Sequence, residues 1–119
     1  MATQHFCEDQ AVANDSADHA YELDAAVRVF DRGGIFVALD VGAGVESVVL
    51  RMELSMDGTT WYRASVYDPS ASAYAASVTA TADTQTLLFW LDNYAQYARL
   101  VANNSGANAA TLTAYMVPV

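Results

Sequence analysis

Three side chains near the start of the chain have the chemistry of metal ligands, or of a nucleophile and its base: His5, Cys7 and His19. Structural zinc sites take paired ligands close together, and this spacing matches no compact ligand pattern. A Cys–His nucleophilic pair meets the same objection, because neither residue has a rigid platform or an orienting group beside it. Glu46 with Glu53, or Asp57 with Asp68, would supply the two carboxylates of glycoside hydrolysis. Carboxylates are common here, however, and nothing selects one pair. Gly42 and Gly44 follow a strand but lack the rest of a phosphate-cradling loop. No catalytic residue, metal or cofactor is therefore expected, and no enzyme. Trp61, Tyr62 and Tyr67 are the best small-ligand candidates, as aromatic faces for stacking a sugar. Trp61 begins a strand, and packing into the core is the stronger expectation for it.

The composition bounds the partners. The 119 residues make one domain, able to bury one core. Apolar residues are 54% and charged residues 16%, too apolar for a disordered chain and poor in charge for a free monomer. Association with copies of itself or with another protein is the expectation. The formal net charge is −9, and the five basic residues are all arginine: Arg28, Arg32, Arg51, Arg63 and Arg99. An acidic chain without a basic stripe is suited neither to nucleic acid nor to an anionic membrane. The lysine-free, alanine-rich composition fits a GC-rich genome or a saline habitat equally. Cys7 is the lone cysteine, so no disulfide forms within the chain. The N-terminus lacks the basic and apolar regions of a signal peptide, and no apolar run has the length of a membrane span. Synthesis in the cytoplasm as a soluble chain is expected.

The elements that must position these residues read as β. Residues 1–20 are polar and acidic, with Glu8, Asp9, Asp15 and Asp18, and show no apolar period. They are expected as an extended arm, loose or draped over a neighbour. A helical turn over Asp18–Ala26, capped by Ser16, is a lesser alternative. Residues 21–119 are expected as a single sandwich domain. A strand runs from Leu23 to Asp31 and Arg32-Gly33-Gly34 turns. Ile35 to Val41 is a nearly continuous apolar strand suited to a sheet centre. Gly42-Ala43-Gly44 breaks it. Val48, Leu50, Met52, Leu54 and Met56 then alternate with Val49, Arg51, Glu53, Ser55 and Asp57, which predicts one buried and one wet face. Asp57-Gly58 is a hairpin signal, and Trp61–Tyr67 returns as the partner strand until Asp68-Pro69-Ser70. Residues 69–83 read as a long loop or a weak edge strand, of the kind often bound to a partner. Gln85–Asp92 is strongly apolar and ends at Asn93. Gln96–Asn103 follows, then the turn Asn104-Ser105-Gly106. The last strand, Ala110–Val117, carries Leu112, Ala114 and Met116 on one face. The expected fold is all-β: an antiparallel β-sandwich or jelly roll of about 7–8 short strands with an extended N-terminal arm.

Two segments carry a resemblance. They are a strand into Ser55-Met56-Asp57-Gly58-Thr59-Thr60-Trp61-Tyr62, and Tyr97-Ala98-Arg99-Leu100-Val101-Ala102-Asn103-Asn104-Ser105-Gly106 running into Leu112-Thr113-Ala114-Tyr115. From Glu46 to Tyr115 the pattern resembles small virion proteins of tailed bacteriophages, in which a β-sandwich or jelly roll decorates the capsid or belongs to the tail. Similar hairpins occur in other β-sandwich binding modules. The resemblance brings no catalytic residues. It implies a structural protein on the virion's capsid surface, made in the host cytoplasm and present in many copies. Such a protein binds the major capsid protein or another virion protein and is often a homo-oligomer, a trimer above all. A capsid decoration (cement) protein is the leading expectation. The alternatives are a tail or head-fibre component and a carbohydrate-binding module using Trp61 and Tyr62. Phe6, Tyr21, Arg51, Arg63, Tyr74 and Arg99 are the expected partner contacts. The arginines would pair with carboxylates on wet sheet faces or across an interface.

Overall fold

The computed structural model describes residues 4–22, 33–40, 47–68, 71–80, 84–91 and 96–118; for 4, 33–40, 80, 84–91 and 116–118 the description is of the backbone. The expected strand over 23–31, the Gly42-Ala43-Gly44 break, the Pro69-Ser70 stop and Asn93 lie outside these residues. Eleven strands are described: β1 (Gln4–Val12), β2 (Asp18–Glu22), β3 (Gly33–Asp40), β4 (Val48–Ser55), β5 (Tyr62–Ala64), β6 (Val66–Asp68), β7 (Ala73–Ala75), β8 (Val78–Ala80), β9 (Thr84–Leu91), β10 (Tyr97–Asn104) and β11 (Ala110–Pro118). All pairings are antiparallel. One sheet runs β1-β11-β3-β9-β6-β7; the other runs β2-β10-β4-β5, with β8 alongside β5 on the same flank of β4.

The pairing is nested. β1 pairs β11, β2 pairs β10, β3 pairs β9, and β4 pairs β5 and β8. The chain is one long antiparallel hairpin whose two arms are rolled together. Rolling sets β11 beside β3 and β10 beside β4. That is the jelly-roll form of the β-sandwich. The β6–β7 hairpin is an excursion that widens the other sheet.

The core lies between the sheets. Val48, Leu50, Met52, Leu54, Ala98, Leu100 and Ala102 face it from one side; Phe6, Cys7, Val12, Val66, Leu112 and Ala114 face it from the other. β4 has the expected alternation, with Val49, Arg51 and Glu53 on the outer face. β3 lies inside its sheet, as its apolar run predicts, between β11 and β9.

Several expectations are corrected. Residues 4–20 are not a separate arm: they hold β1 and most of β2, and Val12 is wholly buried. Where a helical turn was an alternative, Asp18–Glu22 is a strand paired with Arg99–Asn103. Gly33 and Gly34 are not a turn; they open β3 opposite Leu91 and Trp90. The single strand expected over Trp61–Tyr67 divides at Ser65, so that β5 joins one sheet and β6 the other. Residues 73–75 and 78–80 form two short edge strands within the stretch expected as loop or weak edge. Met56 keeps the phase of β4 but is 59% exposed, because the chain has already begun to turn.

That turn is held by its side chains. The Ser55 hydroxyl accepts from the Asp57 and Gly58 amides at 3.2 and 2.9 Å and donates to Asp57 Oδ1 at 2.9 Å. The same Oδ1 accepts from the Thr59 and Thr60 amides at 2.8 Å each. Gly58 sits at φ 79°, and a Cβ there would touch the Tyr97 ring at 3.5 Å. The Thr60, Thr59 and Ser55 bonds hold the Asp57 carboxyl down from its ordinary 3.8 to about 2. A lowered carboxylate pKa stabilises the fold above the ordinary value, and that stabilisation fades as pH falls from 3.8 towards 2. Asp57→Asn keeps a turn-forming side chain and removes the charge. Its melting temperature is therefore expected to lie below wild type at neutral pH and to converge with it as pH falls through this window. Parallel curves would show that the charge contributes nothing.

Cys7 gives a second test. Burial pushes its thiol up to about 11, and Sγ donates to the Leu112 carbonyl at 3.6 Å. The thiolate is the reactive form. A thiol reagent at pH 8 is expected to label native protein only at the rate of unfolding, and denatured protein at once. Fast labelling of native protein would mean that β1 opens on its own.

Candidate functional site

The outer face of the five-stranded sheet gathers the charged residues that face one another. Strand alternation sends Arg51 and Glu53 of β4 and Arg99 and Asn103 of β10 outward. Cross-strand register does the rest. Arg99 lies opposite both Glu22 and Glu53, and Glu53 lies opposite Arg63. Asn103 lies opposite Asp18 and Val49.

Glu53 is the hub. Its Oε1 accepts from Arg99 Nε at 2.7 Å and pairs with Nη2 at 2.6 Å; its Oε2 accepts from Arg51 Nε at 3.1 Å. Arg51 Nη2 reaches on to Asp18 Oδ2 at 3.0 Å, and Asn103 Nδ2 donates to Asp18 Oδ1 at 3.0 Å. Burial alone would raise the Glu53 pKa, but its bonds to Arg99 and Arg51 outweigh that and lower it. The Asn103 and Arg51 bonds lower that of Asp18. The Asp18 and Glu53 bonds, against burial, raise that of Arg51. Val101 belongs to this face too, yet it is 2% exposed and stands outside the interior cluster. Its partners across the sheet are Ala20 and Arg51, and the arginine's methylene stem is the available cover.

Of the six expected partner contacts, Arg51, Arg63 and Arg99 come together here. Phe6 does not: it is 6% exposed and part of the core, because the first strand is inside the sandwich. Tyr21 packs partly buried against that core. Tyr74 is exposed on β7 of the opposite sheet, edge-on to Tyr67 at 5.2 Å. Trp61 is neither a core residue nor an open sugar platform. It is half-buried, and the Arg99 guanidinium lies 4.3 Å from its ring centroid. Tyr62 beside it is exposed.

The early ligand candidates are separately engaged. His5 packs on Tyr115 at 5.5 Å between ring centroids, Cys7 is buried, and His19 pairs with Asp15 at 2.9 Å. Among the described residues no three His, Cys, Asp or Glu side chains gather as a metal site. Asp57 and Asp68 serve different sheets, and Glu46 lies outside the described residues. Glu53 is no free base, since each of its oxygens is held by a guanidinium. The residues missed at first are Glu53 as a hub, Asp18, Glu22 and Asn103. The outward phase shared by Arg51, Glu53 and Arg99 was the signal available for the hub.

No family model matches this chain, and neither the curated proteins nor the solved structures hold a match. The class defined by the geometry is thus the fold itself, an all-β jelly-roll sandwich carrying a face of paired charges.

Proposed function

We propose that the protein is a bacteriophage virion structural protein, foremost a capsid decoration protein that docks on the capsid lattice and stabilises it. The observation that supports this reading is where the resembling segments fall. Ser55–Tyr62 is the locked β4–β5 hairpin, and Tyr97–Gly106 is β10 with its following turn. The first of these joins two strands of the five-stranded sheet and the second supplies another, with Arg99 on its outer face, while the third resembling segment, Leu112–Tyr115, lies in β11 of the other sheet. The mechanism is mechanical: each copy bridges neighbouring capsid subunits by a modest contact, and many copies acting together resist internal pressure. A tail or head-fibre role keeps the fold and changes the partner. Mass spectrometry of purified virions, with copy number measured against the major capsid protein, tests the reading. A number comparable to the capsid protein supports decoration. A handful of copies moves the role to tail or fibre, and absence refutes the virion reading.

A further inference from the structure

Every arginine among the described residues lies on the outer face of the five-stranded sheet, in a chain of net charge −9. Across that face runs one row in direct register, from edge to edge: Glu22 on β2, Arg99 on β10, Glu53 on β4 and Arg63 on β5. The signs alternate. The two inner members are satisfied by each other and by Arg51 and Trp61. The two outer members are exposed, and neither enters an ion pair among the described residues, although the Arg63 charge also acts at longer range on Asp18 of its own copy. Among the described residues the row therefore ends in a carboxylate without an ion pair at one edge and a guanidinium without one at the other.

The geometry points to a head-to-tail contact between copies of this chain, in which the β5 edge of one docks on the β2 edge of the next, with Arg63 of one meeting Glu22 of the other. Three features support it independently of the virion reading. First, β2 and β5 are the two ends of a four-strand antiparallel order, so they run in opposite directions. Setting β5 beside β2 of a second copy continues the antiparallel alternation and the charge row together. Second, the next outward row agrees. Asp18, Asn103, Val49 and Thr79 lie in register, so the same placement brings the Thr79 hydroxyl level with Asp18 of the second copy. Third, the symmetric alternatives oppose like charges: β2 on β2, centred on Ala20, sets Asp18 of one copy against Glu22 of the other, and β5 on β5 sets Arg63 against Arg63. At the edges of the opposite sheet, β1 is interrupted by register shifts with Asp9 at φ 47°, and β7, as short as β5, carries no charged side chain to set its register. A heterologous contact of this kind closes into a ring or grows as a filament.

Sedimentation velocity of the full chain, over a range of concentration and salt, tests the contact with Arg63→Glu, Glu22→Arg, the double variant, and a mixture of the two single variants. Wild type is expected to associate, and less so in high salt. Each single variant is expected to dissociate at concentrations at least about tenfold higher than wild type, because like charges then meet. The double variant restores association with the signs exchanged. So does the mixture, since each variant's unchanged edge fits the other's unchanged edge, and the changed edges fit each other. Misfolded variants would not recover on mixing. A monomeric wild type, single variants that associate like wild type, or a mixture that stays monomeric while wild type associates would each overturn the contact.

Discussion

Deleting residues 1–20 is expected to abolish cooperative folding. The deletion removes β1, which supplies Phe6, Cys7 and Val12 to the core, and most of β2. Burial of Phe6 and Val12 stabilises by about 1.5–3 kcal/mol each. The lost ladders with β11 and β10 and the uncovered side chains of Leu112 and Ala114 add to that. A domain of this size has only about 5–15 kcal/mol in total. Far-UV circular dichroism and urea titration of the truncated protein should show no cooperative transition. A sharp transition near that of wild type would mean that these residues are the dispensable arm their composition suggests.

The second large effect is expected at Asn104. It is wholly buried, and its side chain ties three segments at one end of the sandwich. Nδ2 donates to the Val12 carbonyl at 3.2 Å and to the Asn108 carbonyl at 2.9 Å, while Oδ1 accepts from the Gly106 amide at 2.9 Å. Its own carbonyl accepts from the Ser16 amide at 3.0 Å. Asn104→Ala removes the three side-chain bonds and leaves partners unmet in a buried site, at a cost of roughly 2–4 kcal/mol. The melting temperature should fall by about 10 °C or more. Asn103→Ala is the control, since that side chain reaches the Ser16 carbonyl and Asp18 at the exposed surface. Its cost is expected below about 1 kcal/mol. Equal losses in the two variants would refute a special role for the buried amide.

The sandwich was legible where alternation was clean. Val48 to Leu54 and Leu112 with Ala114 face the core as their period demands, and Asp57-Gly58 turns as its chemistry demands. β1 was not legible, for a physical reason. Its register with β11 shifts between His5 and Cys7 and again between Cys7 and Gln10, so Phe6 and Cys7 are adjacent in sequence and both buried. A bulge of this kind erases period 2. The division at Ser65 was hidden in the opposite way. Ala64 and Val66 are in phase and both buried, so the pattern is that of one strand, although they belong to opposite sheets. The charged face was half legible. Alternation turns Arg51, Glu53 and Arg99 outward, but which carboxylate meets which guanidinium depends on register between strands far apart in sequence. Asp18 was concealed further, because it belongs to a segment whose acidity and lack of period read as an arm.

The nested pairing also sets a timetable for synthesis. The β4–β5 hairpin closes a short loop and has its partner almost as soon as it is made. Each pair outward must close a longer one, and β1 has no partner until Ala110–Pro118 exists. At about 5–20 residues per second, β1 waits several seconds on the ribosome with Phe6 and Cys7 bare. Of the described strands, β1 is made earliest and housed last. Its acidic run of Glu8 and Asp9, set between the apolar residues that it must later bury, gives that waiting strand a charge that discourages pairing with other nascent chains.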